Sequence, residues 1–376
     1  MSGRTLVVGG GIAGAAVALA LRRRGREVSV LDAGERGAVG PGPQATGASA
    51  GMLAPRYELA GPGPLFDLGV ASRRRHPAFL RRLESLAGVD VGLREEGMLV
   101  PAFTGEEADA EADAARAAGS GAAARILSGG DAAALQPGLT LEARCWTWVP
   151  GEACLDTQRL AAALGPALEA AGAELRAPAP VRALRTGGRR VRGVELEDGS
   201  AVDGDAVVLA AGAWSGRLDG LPRPVPVRPV RGQMLRYAAD GAPPLRRLVA
   251  DRGGRYLVPR PDGSLLAGST MEEAGFEGTT TEEGRRGIAR GAVRLLPALA
   301  GCPVDEAWAG LRPLSADGAP ILGPDPEVRG LHYATGYGRN GILLAPEAGE
   351  IVAALIAGER PPSDPGPFGI GRFGEG

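Results

Sequence analysis

Three glycines near the amino terminus have the spacing of a site that binds phosphate groups. Gly9, Gly11 and Gly14 form the pattern GxGxxG directly after a short apolar strand, TLVV, and open a helical stretch. Such glycines make the turn, admit a pyrophosphate to the backbone and allow a helix to pack closely on a strand. Asp32 ends the next predicted strand, about 20 residues on, where a carboxylate accepts hydrogen bonds from ribose hydroxyls. The segment predicts a dinucleotide site, and it does not choose between NAD and FAD.

The chain lacks residues on which several other enzyme chemistries depend. All 42 basic residues are arginine, which excludes lysine Schiff-base chemistry and a lysine-containing phosphate loop. The two histidines, His76 and His332, are too few for a histidine-rich metal site, and we interpret both as surface or packing residues. Cys145, Cys154 and Cys302 form no CxxC pair, as is typical of proteins in a reducing cytosol.

The elements that position the glycine motif belong to a parallel sheet with helical crossovers. The helix after Gly9 would end near Gly25, and EVSVLD predicts the next strand. VVLAAGAWS, at 207–215, has the pattern of another buried strand, and LHYATGYGRNGILLAPEAGEIVAALIAG predicts a strand, a loop and a helix. We therefore expect a parallel-sheet domain assembled from the beginning, middle and end of the chain, with a mostly antiparallel domain inserted twice.

Other segments carry more local signals. VRGVELEDGSAV predicts a hairpin with Asp198 and Gly199 at its turn, and Asp156 or Thr157 could cap a helix that ends at Gly172. The Ala-, Glu- and Asp-rich residues 106–134 predict exposed helices, and the Pro- and Gly-rich residues from 361 predict a flexible tail.

Composition argues against two classes of partner. A net charge of −2 and an aromatic content of 4% favour neither nucleic acid nor an anionic membrane. The apolar run at 11–21 is too short to span a bilayer, and its arginines follow it, whereas a secretory signal has its positive charges first. We expect a soluble cytoplasmic protein without a metal site or a membrane span.

Longer motifs match one family of flavoenzymes. They are TGASAGML at 46–53, GMLVPAF at 97–103, VRGQML, YLVPR, AGLRPLSADGAPILGP and TGYGRNGILLAP, and they occur in order from about Thr5 to about Ala357. By these motifs the chain resembles the glycine oxidases of thiamine biosynthesis, within the D-amino acid oxidase and sarcosine oxidase group. The resemblance implies an α/β protein, with a Rossmann-like FAD-binding domain of the glutathione reductase type and a mainly antiparallel α+β substrate domain.

The resemblance also assigns roles to residues. Arg312 matches the arginine that binds the substrate carboxylate, Tyr256 the tyrosine beside it, and Arg339 a second arginine in contact with substrate. A planar guanidinium suits the first task, because it pairs with a carboxylate through two parallel hydrogen bonds. Met271 matches a methionine near the flavin. The residues assigned to the cofactor are Gly9, Gly11, Ile12, Ala13, Gly14, Asp32, Ala33, Ala45, Thr46, Ala50, Gly51, Met52, Val181, Gly212, Tyr337, Gly338, Arg339, Asn340, Gly341, Ile342 and Leu343.

The implied reaction is the FAD-dependent oxidative deamination of glycine or another small amino acid. Hydride leaves the substrate Cα, the imine hydrolyses to a 2-oxo acid and ammonia, and molecular oxygen is reduced to hydrogen peroxide. No side chain is assigned as a base. A D-amino acid dehydrogenase and a sarcosine or imino acid oxidase remain alternatives within the group. An NAD-dependent dehydrogenase and a non-enzymatic binding module are more distant ones, and a homo-oligomer is expected by analogy.

The resemblance gives domain boundaries and two departures. We expect an FAD-binding domain from 1–86, 156–224 and 309–370, a substrate domain from 87–155 and 225–308, and a flexible tail at 361–376. No cysteine adjoins AGLRPLS, where family members with covalent FAD use one, so we expect non-covalent FAD. Gly254 stands where the family has a histidine at the pocket mouth, and APRYELAGPGPL, at 54–65, differs from the usual loop over the active site. Both departures leave the size of the substrate open.

Overall fold

The computed structural model describes residues 3–35, 42–59, 61–117 and 124–374, without the side chains of 114–117. Its helices are α1 Ile12–Arg23, α2 Ala45–Ala48, α3 Pro55–Glu58, α4 Pro64–Ala87, α5 Gly105–Ala117, α6 Gly129–Leu135, α7 Thr157–Ala170, α8 Glu282–Leu295 and α9 Gly341–Ala357. Its strands are β1 Thr5–Val8, β2 Val28–Leu31, β3 Met52–Leu53, β4 Met98–Ala102, β5 Arg125–Leu127, β6 Cys145–Val149, β7 Ala153–Cys154, β8 Glu174–Arg176, β9 Val181–Thr186, β10 Val191–Leu196, β11 Ala201–Asp203, β12 Ala206–Leu209, β13 Val227–Tyr237, β14 Leu248–Ala250, β15 Tyr256–Pro259, β16 Leu265–Gly268, β17 Val304–Ser315, β18 Ile321–Pro324 and β19 Leu331–Thr335.

A mostly parallel sheet carries the glycine motif. Its strand order is β18-β19-β12-β1-β2-β8, and every neighbouring pair is parallel except the edge pair of β18 and β19. Val7 and Val30 are fully buried, because helices α1, α4, α7 and α9 cover one face while strands β9 to β11 cover the other. Strands buried on both faces are continuously apolar, which explains the TLVV and AVVL runs.

Helices α1 and α9 pack together closely on that sheet. A Cβ added at Gly349 of α9 would lie 2.7 Å from the main-chain carbon of Ala16 in α1, so only glycine permits this approach. Since α1 follows β1 and α9 follows β19, the contact brings the two loops that open these helices to the same edge of the sheet. Ligands of such sheets bind outside the carboxyl ends of the strands, at that edge.

A second, largely antiparallel sheet faces the same edge. Its order is β17-β13-β16-β15-β14-β4-β6-β5, with one parallel pair, β14 and β4. Helix α8 covers one face through Ile288, Ala292 and Leu295. The other face, which includes Met234 and Tyr256, packs against α2 and β3. The fold class predicted from the sequence, a Rossmann-like sheet with a mainly antiparallel α+β partner, is confirmed.

The structure confirms two of the local predictions made from the sequence and contradicts a third. The hairpin of β10 and β11 is present, and Asp156 caps α7 by accepting hydrogen bonds from the amides of Gln158 and Arg159. Residues 106–134 are not helical throughout, because β5 intervenes as an edge strand of the antiparallel sheet, and 118–123 lie outside the described residues.

The carboxyl-terminal segment differs from the flexible tail that its composition predicts. Residues 366–368 and 370–373 form 3-10 turns, and Phe368 and Ile370 are buried in the two cores that flank the parallel sheet. Arg372 also pairs with Asp317 at 2.7 Å. Two apolar side chains and one ion pair dock the segment despite its many prolines and glycines.

Candidate active site

One elongated cavity of about 770 Å³ runs from the glycine motif to Arg312. Its lining includes most of the residues singled out in the sequence: Gly9, Gly11, Ile12, Ala13, Asp32, Ala33, Ala45, Thr46, Ala50, Gly51, Met52, Val181, Gly212, Tyr256, Met271, Arg312, Tyr337, Gly338, Arg339, Gly341 and Ile342. Gly14, Asn340 and Leu343 are not among the lining residues. The volume is within the range of sites for small molecules and cofactors.

The dinucleotide end of the cavity is built from backbone. Gly9 has φ +106°, which favours glycine, and a Cβ there would lie 2.4 Å from the carbonyl oxygen of Ala210. A Cβ at Gly14 would lie 2.0 Å from the carbonyl oxygen of Gly9, so both glycines are required by close approach. Helix α1 begins here with no acidic residue in its first turn, which leaves its positive end available to an anion.

Asp32 ties the glycine turn to the end of β2. Its carboxylate accepts hydrogen bonds from the amides of Gly10, at 2.5 Å, and Gly34, at 2.8 Å. Asp32 lines the cavity, and each of its carboxylate oxygens can accept a further hydrogen bond, which suits a ribose hydroxyl. Thr46 completes this end by accepting from the Ile12 amide at 3.1 Å.

The loop before α9 crosses the middle of the cavity. The Gly338 amide donates to the carbonyl of Pro313 at 2.7 Å, which holds the loop against β17. Asn340 precedes the first turn of α9, and Leu343 is fully buried beneath it. The Tyr337 hydroxyl and Asn340 Oδ1 are buried and have no hydrogen-bond partner among the described residues. Burial raises the pKa of Tyr337.

The substrate end of the cavity is built from side chains, and Arg312 of β17 is its centre. The Arg312 guanidinium donates from Nη1 to the Thr270 carbonyl at 3.0 Å and from Nη2 to Ser269 Oγ at 2.8 Å. Gly232, on the neighbouring strand β13, makes room for it, because a Cβ there would lie 2.0 Å from Nη1. The guanidinium is therefore fixed before any substrate binds.

Tyr256 stands beside Arg312 on β15. Its hydroxyl donates to Met234 Sδ at 3.1 Å, and burial raises its pKa although the charge of Arg312 acts in the opposite direction. A Cβ at Gly268 would lie 2.5 Å from the Tyr256 hydroxyl, so a second glycine clears the space around the site. Tyr256 remains a neutral phenol that can donate to a carboxylate.

Arg339 joins this end from the loop before α9. Its Nη2 donates to the carbonyl of Glu58, the last residue of α3, at 2.6 Å. The Glu58 side chain lines the cavity and is 9% exposed. Burial raises the pKa of Glu58 to about 7, while the charges of Arg339 and Arg312 act to lower it. A carboxyl group therefore lies close to both substrate-end arginines.

The mouth of the cavity is shaped by the residues that depart from the family. Tyr57 lines the cavity and donates its hydroxyl hydrogen bond to the Asp251 carbonyl, and Arg252 lies 5.3 Å above its ring. Gly254 also lines the cavity, with φ +81° and no atom within 4 Å of an added Cβ among the described residues. Met271 is 60% exposed at the rim.

Several residues of this end were missed from the sequence. Ser269 and Thr270 accept hydrogen bonds from Arg312, and Gly232 leaves space for its guanidinium. Met234 accepts from Tyr256, and Glu58 adds a carboxyl group to the lining. The available signal was proximity to recognised motifs: Gly232 and Met234 are in VRGQML, and the Ser-Thr pair directly follows LLAG. Glu58 had no such signal, because it lies in the loop at 54–65, whose sequence differs from that of the family.

The described residues fit a bound FAD. The glycine cradle and helix end suit a pyrophosphate, and the partnerless hydroxyl of Tyr337 and oxygen of Asn340 lie where the loop crosses the cavity. No cysteine of the described part of the chain lines the cavity. In the same part no helix is long and apolar enough to cross a membrane, and no cluster of metal-ligating side chains is found.

The fold and the cavity together indicate a dinucleotide-dependent oxidoreductase whose cavity ends at a fixed guanidinium. A family model described as FAD dependent oxidoreductase, DAO, matches residues 4–355. The chain belongs to this family.

Two similar relatives are nearly the same length as this chain, and a third is about twice as long. This chain is 35% identical to the glycine oxidase of Geobacillus kaustophilus, over 97% of this chain and 96% of that protein. It is 36% identical to the glycine oxidase of Pseudomonas aeruginosa, over 98% of each. The crystal structure of the Geobacillus kaustophilus glycine oxidase superposes with a TM-score of 0.89 at 33% identity and 98% coverage of both chains. This chain is also 35% identical to the bifunctional protein ThiO/ThiG of Nostoc sp., over 96% of this chain and 53% of that protein.

Proposed function

We propose that the protein is an FAD-dependent amino acid oxidase that deaminates glycine to glyoxylate and ammonia, with reduction of oxygen to hydrogen peroxide. One observation carries the proposal: Arg312, fixed by Ser269 and Thr270, lies at one end of a cavity whose other end has the dinucleotide-binding glycines. A guanidinium at one end of the cavity would pair with a substrate carboxylate while the other end holds the cofactor, which supports an amino acid as the substrate. The curated glycine oxidases that match over nearly the full chain support glycine as substrate.

The protein's own contribution is to bind and orient the substrate. When bound along the glycine turn and the loop before α9, FAD would supply the electron acceptor for the oxidation of the substrate. Arg312 pairs with the two oxygens of the substrate carboxylate, and Tyr256 donates a further hydrogen bond to one of them. Three contacts on one carboxylate fix its plane and therefore the direction of the Cα–H bond, which is the main requirement of such a reaction.

The walls limit the substrate to a small one. Tyr57 and Met234 line the substrate end, and the Tyr57 ring is held by the Asp251 carbonyl and by Arg252. A held aromatic ring leaves less room beside the substrate Cα than a small side chain would. We therefore favour glycine over amino acids with long side chains, while the gap at Gly254 admits a modest substituent.

The binding of FAD and the pathway are further parts of the proposal. Non-covalent FAD is supported by the absence of cysteine from the described cavity lining. A role in thiamine biosynthesis is supported by the similarity to the bifunctional ThiO/ThiG protein of Nostoc sp.. Assembly into a homo-oligomer and a cytoplasmic location stay predictions.

A substrate panel tests the function. Purified yellow protein is given glycine, sarcosine, D-alanine or D-proline, and hydrogen peroxide and the 2-oxo acid are measured, with catalase as the control. We expect the highest kcat/KM with glycine. A preference for D-proline or sarcosine would replace glycine by an imino acid or secondary amine, and dye reduction without peroxide would indicate a dehydrogenase. Flavin that remains with acid-precipitated protein would contradict non-covalent binding.

A further inference from the structure

A buried carboxyl group at the substrate end has no role in the function proposed above. The described carboxyl side chains in the cavity lining are those of Asp32, Glu58, Glu197 and Asp219. Asp32 is bonded to the glycine turn at the dinucleotide end. The Glu197 amide donates to the Pro180 carbonyl, and Asp219 is bonded to Arg182. Glu58 alone of these four acts electrostatically on the substrate-end residues.

The substrate brings a charge that Arg312 and Arg339 cannot bind. An amino acid near neutral pH carries an ammonium group beside its carboxylate, and two guanidinium groups repel it. Hydride can leave the Cα only when the nitrogen has a free electron pair to form the imine, so the ammonium group must first lose a proton. The chain has no lysine, and its two histidines do not line the described cavity.

We propose that Glu58 binds the ammonium group of the substrate and accepts one of its protons, leaving the neutral amine that is oxidised. The proposal rests on amino acid oxidation as the function. One N–H bond breaks and one carboxyl O–H bond forms, so the substrate nitrogen becomes neutral and Glu58 becomes a carboxylic acid. No electron is transferred in this step, and the proton leaves to solvent after the product departs.

The surroundings of Glu58 suit a group that gains and loses a proton near neutral pH. Burial raises its pKa to about 7, and Arg339 and Arg312 oppose that effect. Glu58 in turn raises the pKa values of Tyr256 and of Glu152, which lies behind α3. The carboxylate form therefore becomes available near pH 7, and a general base is most effective when its pKa is close to the operating pH.

The main chain of Glu58 is held on both sides. Arg339 donates to its carbonyl oxygen at 2.6 Å, and the preceding turn of α3 is fixed by the Arg56 amide, which donates to Glu152 Oε1 at 2.9 Å. No hydrogen bond to the Glu58 carboxyl is found among the described residues, and only burial and the two arginine charges act on its pKa, which leaves its oxygens free for a ligand. A purely structural acid in this position would be expected to pair with one of the neighbouring arginines.

The test compares an amine with its hydroxyl counterpart on the FAD-loaded enzyme. Glu58→Gln should lower kcat/KM for glycine by about 100-fold near neutral pH, while the inhibition constant of glycolate, which has no amine, stays the same or decreases. The defect should shrink at alkaline pH, where glycine already has a neutral amine in solution. Glu152→Gln is the control: it removes the adjacent acid and keeps the oxygen that accepts from Arg56, so the glycine-to-glycolate ratio should not change.

Three outcomes decide the proposal. Equal losses for glycine and glycolate, or a loss that does not vary with pH, would assign Glu58 a structural role while glycine oxidation stands. A wild-type enzyme that oxidises no amine would overturn both proposals. If Glu58→Gln loses its flavin, Glu58→Asp replaces it: the shorter acid should move the acid limb of the kcat/KM profile, and an unmoved limb contradicts the role.

Discussion

The two ends of the cavity are built on different principles. At the dinucleotide end, recognition comes from main-chain groups: Gly9 and Gly14 allow close approach, and the first turn of α1 presents its amides. At the substrate end the proposed recognition groups are the side chains of Arg312, Tyr256 and Arg339, which lie on segments far apart in sequence. A turn and helix form from one stretch of chain, whereas the substrate end exists only after both sheets have packed.

The two ends of the cavity should differ in how well they tolerate amino-acid substitutions. A backbone site fails when a single added atom prevents the close approach of two main chains, because the main chain has no other conformation available. A side-chain site can lose one contact and keep the others. Substitutions should therefore act almost all-or-none at the dinucleotide end and in graded steps at the substrate end.

The largest effect is expected at Gly14. In Gly14→Ala the new Cβ would lie 2.0 Å from the Gly9 carbonyl oxygen, so α1 must move away from β1 and the anion-binding turn is lost. The protein should purify colourless or aggregate. Gly287→Ala is the matched control, because no described atom lies within 4 Å of its added Cβ in the middle of α8. Flavin absorbance relative to protein absorbance measures the result, and a yellow Gly14→Ala protein would contradict this view of the dinucleotide end.

The same difference explains how much the sequence could predict. Gly9, Gly14 and Asp32 act within one strand-turn-helix-strand unit, so spacing and local pattern were sufficient to predict a dinucleotide site. The caps and hairpins of the fold were predicted for the same reason, as at Asp156. The tail was not, because the docking of Phe368 and Ile370 depends on cores formed elsewhere in the chain.

The substrate end was accessible only through resemblance. Nothing local distinguishes Arg312 from the other arginines of the chain, and the AGLRP context singled it out. Ser269, which follows β16, accepts a hydrogen bond from Arg312, and Gly232 of β13 leaves space for its guanidinium. Glu58 lines the same end from the loop at 54–65, whose sequence differs from that of the family. Such contacts are set by strand pairing and packing, which composition and periodicity do not encode.

A graded but large effect is expected at Arg312. Arg312→Leu removes the partner of the substrate carboxylate, and losing one member of a buried charge pair costs about 2–5 kcal/mol, which corresponds to roughly a 30- to 5,000-fold fall in kcat/KM. FAD should stay bound, because the cofactor end does not depend on this side chain. Steady-state kinetics with glycine and the flavin spectrum are measured together. Near-normal kinetics would refute the carboxylate-binding role, and loss of flavin would show that the two ends are not independent.

A pH-dependent change in stability is expected at Glu152, which accepts a hydrogen bond from the Arg56 amide in α3, the helix that ends at Glu58. Glu152 is 1% exposed, its Oε2 has no partner in the described part of the chain, and burial raises its pKa from 4.5 to about 8. The folded state thus holds a proton that the unfolded state releases. The stability of the parent protein therefore falls as pH rises from the unfolded pKa to the folded pKa.

Glu152→Gln has no such proton to lose. It should match the parent in stability near the lower end of this window and exceed it by about 2–4 kcal/mol above pH 8. Urea unfolding of the FAD-loaded proteins at about pH 5 and about pH 8.5 measures the difference. A difference that is the same at both pH values would mean that Glu152 is not a neutral buried acid.

The smallest effect is expected at Ser269, which contributes one of the two hydrogen bonds that fix Arg312. Ser269→Ala removes the acceptor of Nη2 and leaves the Thr270 carbonyl in place, so the guanidinium keeps one anchor. One lost hydrogen bond of this kind is worth about 1 kcal/mol, and we expect KM for glycine to rise roughly fivefold with little change in kcat. Thr270→Ser is the control in the same loop, because it keeps both the carbonyl and the hydroxyl that accepts from the Gln233 amide. A fall in kcat as large as that of Arg312→Leu would mean that the substrate end, like the dinucleotide end, fails as a unit.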